Sequence, residues 1–214
     1  MQRKVGALDK ARITVAVRKS FHRERTPVET KVTAVLAYYS GASFRRISRV
    51  ILHSAVSPEA VRLWWNRLSH LFLYLRGPHG VIVVDETFIE ARGEPLCLWV
   101  AINAMTMEVI HMRLTGWQNT FDCSIFLEET LGKSRCYRPI FLHDRGAWYT
   151  FVGNRLKLSH FQVKGGLRSR IECWNRQLKH RLDGFWRTWP KNTKNDQAEQ
   201  WIRSFAAIWN LTRA

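Results

Sequence analysis

No apolar run in this 214-residue chain reaches the roughly 18–20 residues that a membrane-spanning helix requires. The opening residues, MQRKVGALDK, lack the apolar stretch of a secretory signal. The four cysteines, Cys97, Cys123, Cys136 and Cys173, form no CxxC pair. A structural zinc site is therefore not expected, and each thiol reads as a small core residue in a reducing compartment. A Walker A loop, a GxSxG nucleophile elbow and a dinucleotide fingerprint are all missing. Acidic residues are scarce as well: 17 Asp+Glu stand against 34 Lys+Arg, a formal net charge of +17. These absences predict a soluble, intracellular protein with no membrane partner, cytoplasmic and nucleoid-associated.

The charge that is present is unevenly placed. Residues 1–80 and 133–214 are strongly basic, whereas 81–132 carry eight Asp+Glu against two Lys+Arg. Lys and Arg that neutralise phosphates release counterions, so basic flanks of this kind suit a nucleic-acid-binding protein. A well-solvated basic surface would produce the same total, but would not gather the acids in the middle.

With 46% apolar residues and ten tryptophans, the chain should pack a core. Residues 1–27 read as a basic arm, in which ITVAV could form a short strand. Residues 28–76 read as three helices. Val32, Val35, Leu36 and Tyr39 sit at helical spacing in the first, and Gly41 ends it. Ser43 caps a second helix, and Ser57, followed by Pro58 and Glu59, caps a third. Short helix, turn, short helix, turn, longer helix is the order of a helix-turn-helix unit, although a plain helical bundle would show the same spacing. Arg45, Arg46 and Arg49 on its second helix, with Arg62 and Arg67 on its third, are the residues expected to bind DNA.

Gly77-Pro78-His79-Gly80 marks a boundary, and residues 81–214 change character. VIVVDET is a β-branched run suited to a strand buried on both faces. LCLWVAIN and EVIHMRL read as two further strands joined by a hairpin, Thr120 opens a helix, and PIFLH is a short buried strand. A helix at Trp148–Val152, a strand at LSHFQV, a basic helix from Leu167 and a closing helix from Asp196 complete the order. The whole predicts an α/β fold: a ribonuclease-H-like mixed sheet with flanking helices, preceded by a small all-α domain.

Two acids end buried strands. Asp85 closes VIVV and Asp144 follows PIFLH, places where an unpaired carboxylate costs several kcal/mol or takes up a proton. Glu172 lies in the helical LRSRIECWNRQLKHR, flanked at minus four and plus four by Arg168 and Arg176. Alone it would read as one member of a solvated salt-bridge face. Two strand-end acids plus a third on a facing helix would supply the hard oxygen ligands that hold a pair of divalent cations. Arg168, Arg176 and Lys179 share that helix and could grip DNA phosphates. Trp186, Arg187 and Trp189 follow, suited either to base stacking or to the core. Glu86, next to Asp85, should face the other side of the sheet. His143-Asp144 resembles the HD pair of helical metal hydrolases, but here the pair ends a strand.

The region from Val81 to Ala214 resembles the DDE transposase domain of insertion sequences, particularly the IS6-like group. VVDETFIEARGEPLCLWVAIN is similar to the block holding the first catalytic acid, PIFLHDRGAWY to the second, and RSRIECWNRQLKHRLDGFWRTW to the third. IRSFAAIWN also fits, and the helical unit before Gly77 would be the family's usual companion. The resemblance implies that Asp85, Asp144 and Glu172 hold two Mg²⁺ ions, with Mn²⁺ as a substitute. It further implies cleavage at element ends and strand transfer into target DNA by a homodimer or larger assembly. The segment 145–171 is shorter than the family's usual spacing. That leaves a compact enzyme or a decayed, DNA-binding copy, beside a ribonuclease-H-like nuclease or resolvase using the same site.

Overall fold

The computed structural model describes residues 6–21, 25–73, 77–91, 93–183 and 194–213. They divide into two compact units, Met1–Tyr74 with Gln200–Ala214, and Leu75–Glu199.

The first unit is helical. Within residues 1–27, ITVAV is not the short strand that its composition suggests, for α1 spans Ala7–Ser20. Ile13 and Val17 lie one helical turn apart and are fully buried, while Asp9 accepts a hydrogen bond from the Gly6 N–H at 2.9 Å. Burial of one face has overridden the strand propensity of ITVAV. Three helices then follow, α2 (Val28–Tyr39), α3 (Phe44–Arg46) and α4 (Pro58–Arg67), the last two starting where their capping serines placed them. The α3 helix runs on into a wider π-helical turn, Ile47–Ile51, and α4 into a 3-10 stretch, Leu68–Leu73. Ser43 Oγ accepts from the Arg46 N–H at 3.2 Å, and Ser57 Oγ from the Ala60 N–H at 3.1 Å. Each cap satisfies one orphan donor of a helix start.

The pattern of elements predicts one unit from 81 to 214, yet residues from Gln200 onward cluster with the helical unit. Trp201 explains why. Its indole donates to the Tyr38 hydroxyl at 3.0 Å, and its ring meets those of Trp65 and Phe205. An aromatic core needs that helix, whatever its distance along the chain.

The second unit is built on a sheet of β1 (Val81–Ala91), β2 (Glu94–Asn103), β3 (Val109–Thr115), β4 (Ile140–His143) and β5 (Ser159–Gln162). Their order is β3-β2-β1-β4-β5: β1, β2 and β3 pair antiparallel, whereas β4 and β5 run parallel to β1. With α5 (Thr120–Lys133), α6 (Ala147–Arg155) and α7 (Arg168–Asp183) flanking it, this is the ribonuclease-H-like mixed sheet. The last helix, α8, spans Asn195–Leu211.

Strand alternation divides the chemistry of β1 between two faces. Ile82 and Val84 join Trp99, Ala101 and Phe126 in the core under α5 and α6. Val83 and Asp85 look the other way, toward α7, which packs on β1 and β2 through Ile171, Trp174 and Leu178, all fully buried. The hairpin between β2 and β3 turns where Asn103 Oδ1 accepts from the Met105 and Thr106 N–H groups. Cys97 and Cys123 lie in the core as free thiols, and burial pushes both up to about 12. No helix among the described residues is long and apolar enough to cross a membrane.

The seating of α7 depends on its largest apolar side chain. Trp174→Ala should cost about 3–5 kcal/mol of stability, the usual range for an aromatic truncated in a core. Denaturant melts with an unchanged m-value would report it; a loss under 1 kcal/mol would mean that Trp174 does not hold α7 on the sheet.

Candidate active site

Three carboxylates from separate parts of the chain meet at one cation. Asp85 Oδ1 lies 3.6 Å from Arg168 Nη2, Asp144 Oδ2 lies 3.8 Å from the same nitrogen, and Glu172 Oε1 lies 3.6 Å from Arg168 Nε. Asp85 does not close its strand, as the run VIVV suggests, but sits midway along β1. Val83 pairs with Leu142, so Asp85 and Asp144 each lie two residues beyond that pair, Asp144 just past the end of β4. On α7, Arg168 and Glu172 are one turn apart. The helical salt bridge suggested by the spacing of Arg168 and Glu172 thus exists, and it is also where the two aspartates of the sheet converge. Arg168, expected to grip DNA, is in this structure the counter-ion of the trio.

Each aspartate is held by one oxygen and presents the other. Asp85 Oδ2 accepts from the Asn175 amide at 3.1 Å, leaving Oδ1 toward the guanidinium. Asp144 Oδ1 accepts from the Gly146 N–H at 2.8 Å, leaving Oδ2. A side chain at Gly146 would press on the Trp148 ring at 2.8 Å and on Asp144 Oδ1 at 3.0 Å, so the tight approach requires glycine. Nothing in the sequence singles out Gly146 for this role. The signal for Asn175 was its spacing: three residues after Glu172, it shares that residue's side of the helix.

The electrostatics follow from burial. Asp85 is 6% exposed, and its carboxyl is pushed up to about 7, chiefly by desolvation and then by the charge of Glu86. Arg168 pulls in the opposite direction, while Asp144 and Glu172 add repulsion. Glu172 is more open, with half of its side chain exposed.

Glu86 faces away from the trio, as alternation requires. It accepts from the Tyr149 hydroxyl and from the Gln118 amide, each at 2.7 Å, and burial raises its carboxyl above the ordinary range. Behind Asp144, His143 is buried and held neutral, its pKa lowered by desolvation. Its Nδ1–H donates to the Asp144 carbonyl at 2.6 Å, which leaves Nε2 as the acceptor facing His160 Nδ1 at 3.0 Å. These bonds give the histidine of the HD pair a place in the strand end rather than among the acids.

Arg176 and Lys179 are exposed on α7, one and two turns beyond Glu172, and form a basic ridge leading away from the acids. Trp186, Arg187 and Trp189 lie outside the described residues. In the helical unit, Arg45, Arg46, Arg49, Arg62 and Arg67 are all exposed. Arg62 is bonded to Glu59 at 2.6 and 2.9 Å, and the Arg67 guanidinium lies 5.3 Å over the Phe21 ring.

Among the described residues, no three His, Cys, Asp or Glu side chains stand close enough to chelate an ion as they lie. The donor set itself, three carboxylates with one oxygen of each aimed at a common cation, fits a hard divalent ion.

Comparison with known proteins gives a relative in sequence and several likenesses in shape. The chain is 30% identical over 202 residues to the uncharacterized protein MJ0017 of Methanocaldococcus jannaschii, covering 94% of both chains. No protein-family model matches. A chain of the simian T-cell lymphotropic virus intasome in complex with PP2A regulatory subunit B56 gamma is similar with a TM-score of 0.48 and 16% identity, over 83% of this chain and 67% of that one. The HTLV-2 integrase catalytic core domain in complex with magnesium gives 0.46 and 14%, over 62% and 85%. The catalytic core domain of BIV integrase gives 0.45 and 14%, over 61% and 82%. These are likenesses of shape alone, and the strand order carries the fold assignment.

The raised carboxyl of Asp85 has a consequence for stability. Its ordinary value is near 3.8, so between pH 4 and about 7 the folded state holds a proton that the unfolded state has lost. Stability from this group is therefore full below about pH 4 and is lost as pH rises through about 7. In metal-free melts, the advantage of Asp85→Asn over the parent should grow from pH 5 to pH 8. A constant difference would show that Asp85 is already ionised at pH 5.

Proposed function

The chain belongs to the same family as the Methanocaldococcus jannaschii protein MJ0017, and for it we propose a DDE-type transposase, which cuts and joins DNA at the carboxylates Asp85, Asp144 and Glu172. The observation that carries this reading is the convergence of three oxygens, Asp85 Oδ1, Asp144 Oδ2 and Glu172 Oε1, on one cationic position. A buried carboxylate such as Asp85 is an expensive thing to keep without a task.

Asp85 and Asp144 would share divalent ions, Mg²⁺ with Mn²⁺ as a substitute, and Glu172 would complete the ligands of the second. Such ions, when bound, polarise a scissile phosphate and make water or a 3′-hydroxyl a strong nucleophile. The chain's own residues position the rest. Asn175 and the Gly146 N–H fix the two aspartates, so that little ordering is left to do when substrate arrives. Arg176 and Lys179 hold the DNA backbone beside the acids, and the arginines of the helical unit hold the element end. Phosphate contacts of this kind set register, while sequence is read at base edges. Two ends that each need an active site argue for a homodimer or larger assembly on double-stranded DNA.

The rival reading, a copy that binds DNA without cutting it, shares the arginines but not the need for the acids. Asp85→Asn separates the two. It should abolish cleavage of end-bearing DNA in Mg²⁺ or Mn²⁺ while leaving gel-shift affinity within a few-fold. A parent protein that binds such DNA and cuts none of it in either metal would leave only the binder.

The role of the basic ridge is open to a salt series. Log affinity falls by about 0.9 per phosphate contact for each tenfold rise in salt. Arg176→Ala with Lys179→Ala should flatten that slope by about 2; an unchanged slope would remove both from the DNA path.

A further inference from the structure

Arg168 is a cation already resident where the proposed function needs one. Its guanidinium is approached by three acids, yet every approach is 3.6–3.8 Å, beyond hydrogen-bonding reach. Its Nε is buried and makes no hydrogen bond. A planar guanidinium normally meets a carboxylate in a bidentate fork at about 2.7–2.9 Å, and that is what makes such pairs tight. Arg62 with Glu59 shows this geometry in the same protein, at 2.6 and 2.9 Å. Arg168 has the charge of such a pair without its directional bonds. The two aspartates, by contrast, are anchored elsewhere, through Asn175 and Gly146, and do not depend on Arg168 for their orientation.

We propose that Arg168 is a displaceable place-holder: it neutralises the carboxylate trio when no metal is present, and divalent cations compete with it for the same oxygens. The inference rests on the reading of the trio as a metal site. Two cationic occupants cannot share one cluster without strong repulsion, so binding of either must weaken the other. Expulsion of the guanidinium breaks only ion contacts and no hydrogen bond. Arg168 stands one turn before Glu172, with Arg176 one turn beyond it. A freed Arg168 would therefore extend the basic ridge of α7 past the acids, where a phosphate of the substrate could take the place of the carboxylates as its partner.

The test is Mn²⁺ affinity, followed by electron paramagnetic resonance on the full chain without DNA. The parent, Arg168→Ala and Arg168→Lys are compared, each with and without Asp85→Asn. Arg168→Ala should bind Mn²⁺ at least tenfold tighter than the parent, and Arg168→Lys, which keeps the charge, should stay within a few-fold of it. Asp85→Asn should weaken binding in every background. Equal or weaker binding by Arg168→Ala, with Asp85→Asn still abolishing it, would overturn the competition and leave the metal site standing. No binding by any protein would overturn both. Should Arg168→Ala fail to fold by circular dichroism, Arg168→Gln, close in length and polarity, is held to the same tenfold criterion.

Discussion

A buried carboxylate within a sheet has to be compensated, and around Asp85, midway along β1, that requirement organises the second unit. Water cannot reach it freely, so its charge must be balanced by a proton, a cation or both. The structure supplies each in part: a carboxyl raised to about 7, a guanidinium at 3.6 Å and an amide at 3.1 Å. Both partners come from α7, and so the helix that covers this face of the sheet also balances its charge. Trp174 and Leu178 bring the helix down, while Arg168 and Asn175 make the landing tolerable for a buried acid.

The same constraint explains why the two faces of β1 are so different. On one, Glu86 accepts from two uncharged donors, Tyr149 and Gln118, through short hydrogen bonds. On the other, Asp85 faces two further acids and a cation that touches none of them closely. Well-made hydrogen bonds fix a structure, whereas loose ion contacts among like charges leave room for exchange. Adjacent residues of one strand thus have a settled environment and an unsettled one. The unsettled environment is the better candidate for chemistry.

Much of this was legible in the amino acids. The β-branched run before Asp85, the short apolar run before Asp144 and the capping serines at 43 and 57 all announce local structure by mechanisms that need no tertiary partner. The succession of strands and helices from Val81 onward followed from them, whereas the order of the strands in the sheet, β3-β2-β1-β4-β5, is set by tertiary pairing. What could not be read was anything decided by distant packing. ITVAV looks like a strand and is a helix, because Ile13 and Val17 find a core on one side. The residues after Gln200 look like the end of the sheet unit and instead complete an aromatic cluster with Tyr38 and Trp65. Within the site, the apolar runs before Asp85 and Asp144 and the helical pattern around Glu172 pointed to the three acids, although β1 runs on past Asp85 to Ala91 instead of ending there. The role of Arg168 was not legible: i to i+4 spacing predicts its pairing with Glu172 and is silent on two acids contributed by the sheet.

Anomalous diffraction from crystals soaked in Mn²⁺ addresses the central claim most directly. The account predicts metal density bounded by Asp85 Oδ1, Asp144 Oδ2 and Glu172 Oε1, with the Arg168 guanidinium moved out of the cluster. Crystals that take up no manganese there, with Arg168 still lodged among the three carboxylates, would contradict it.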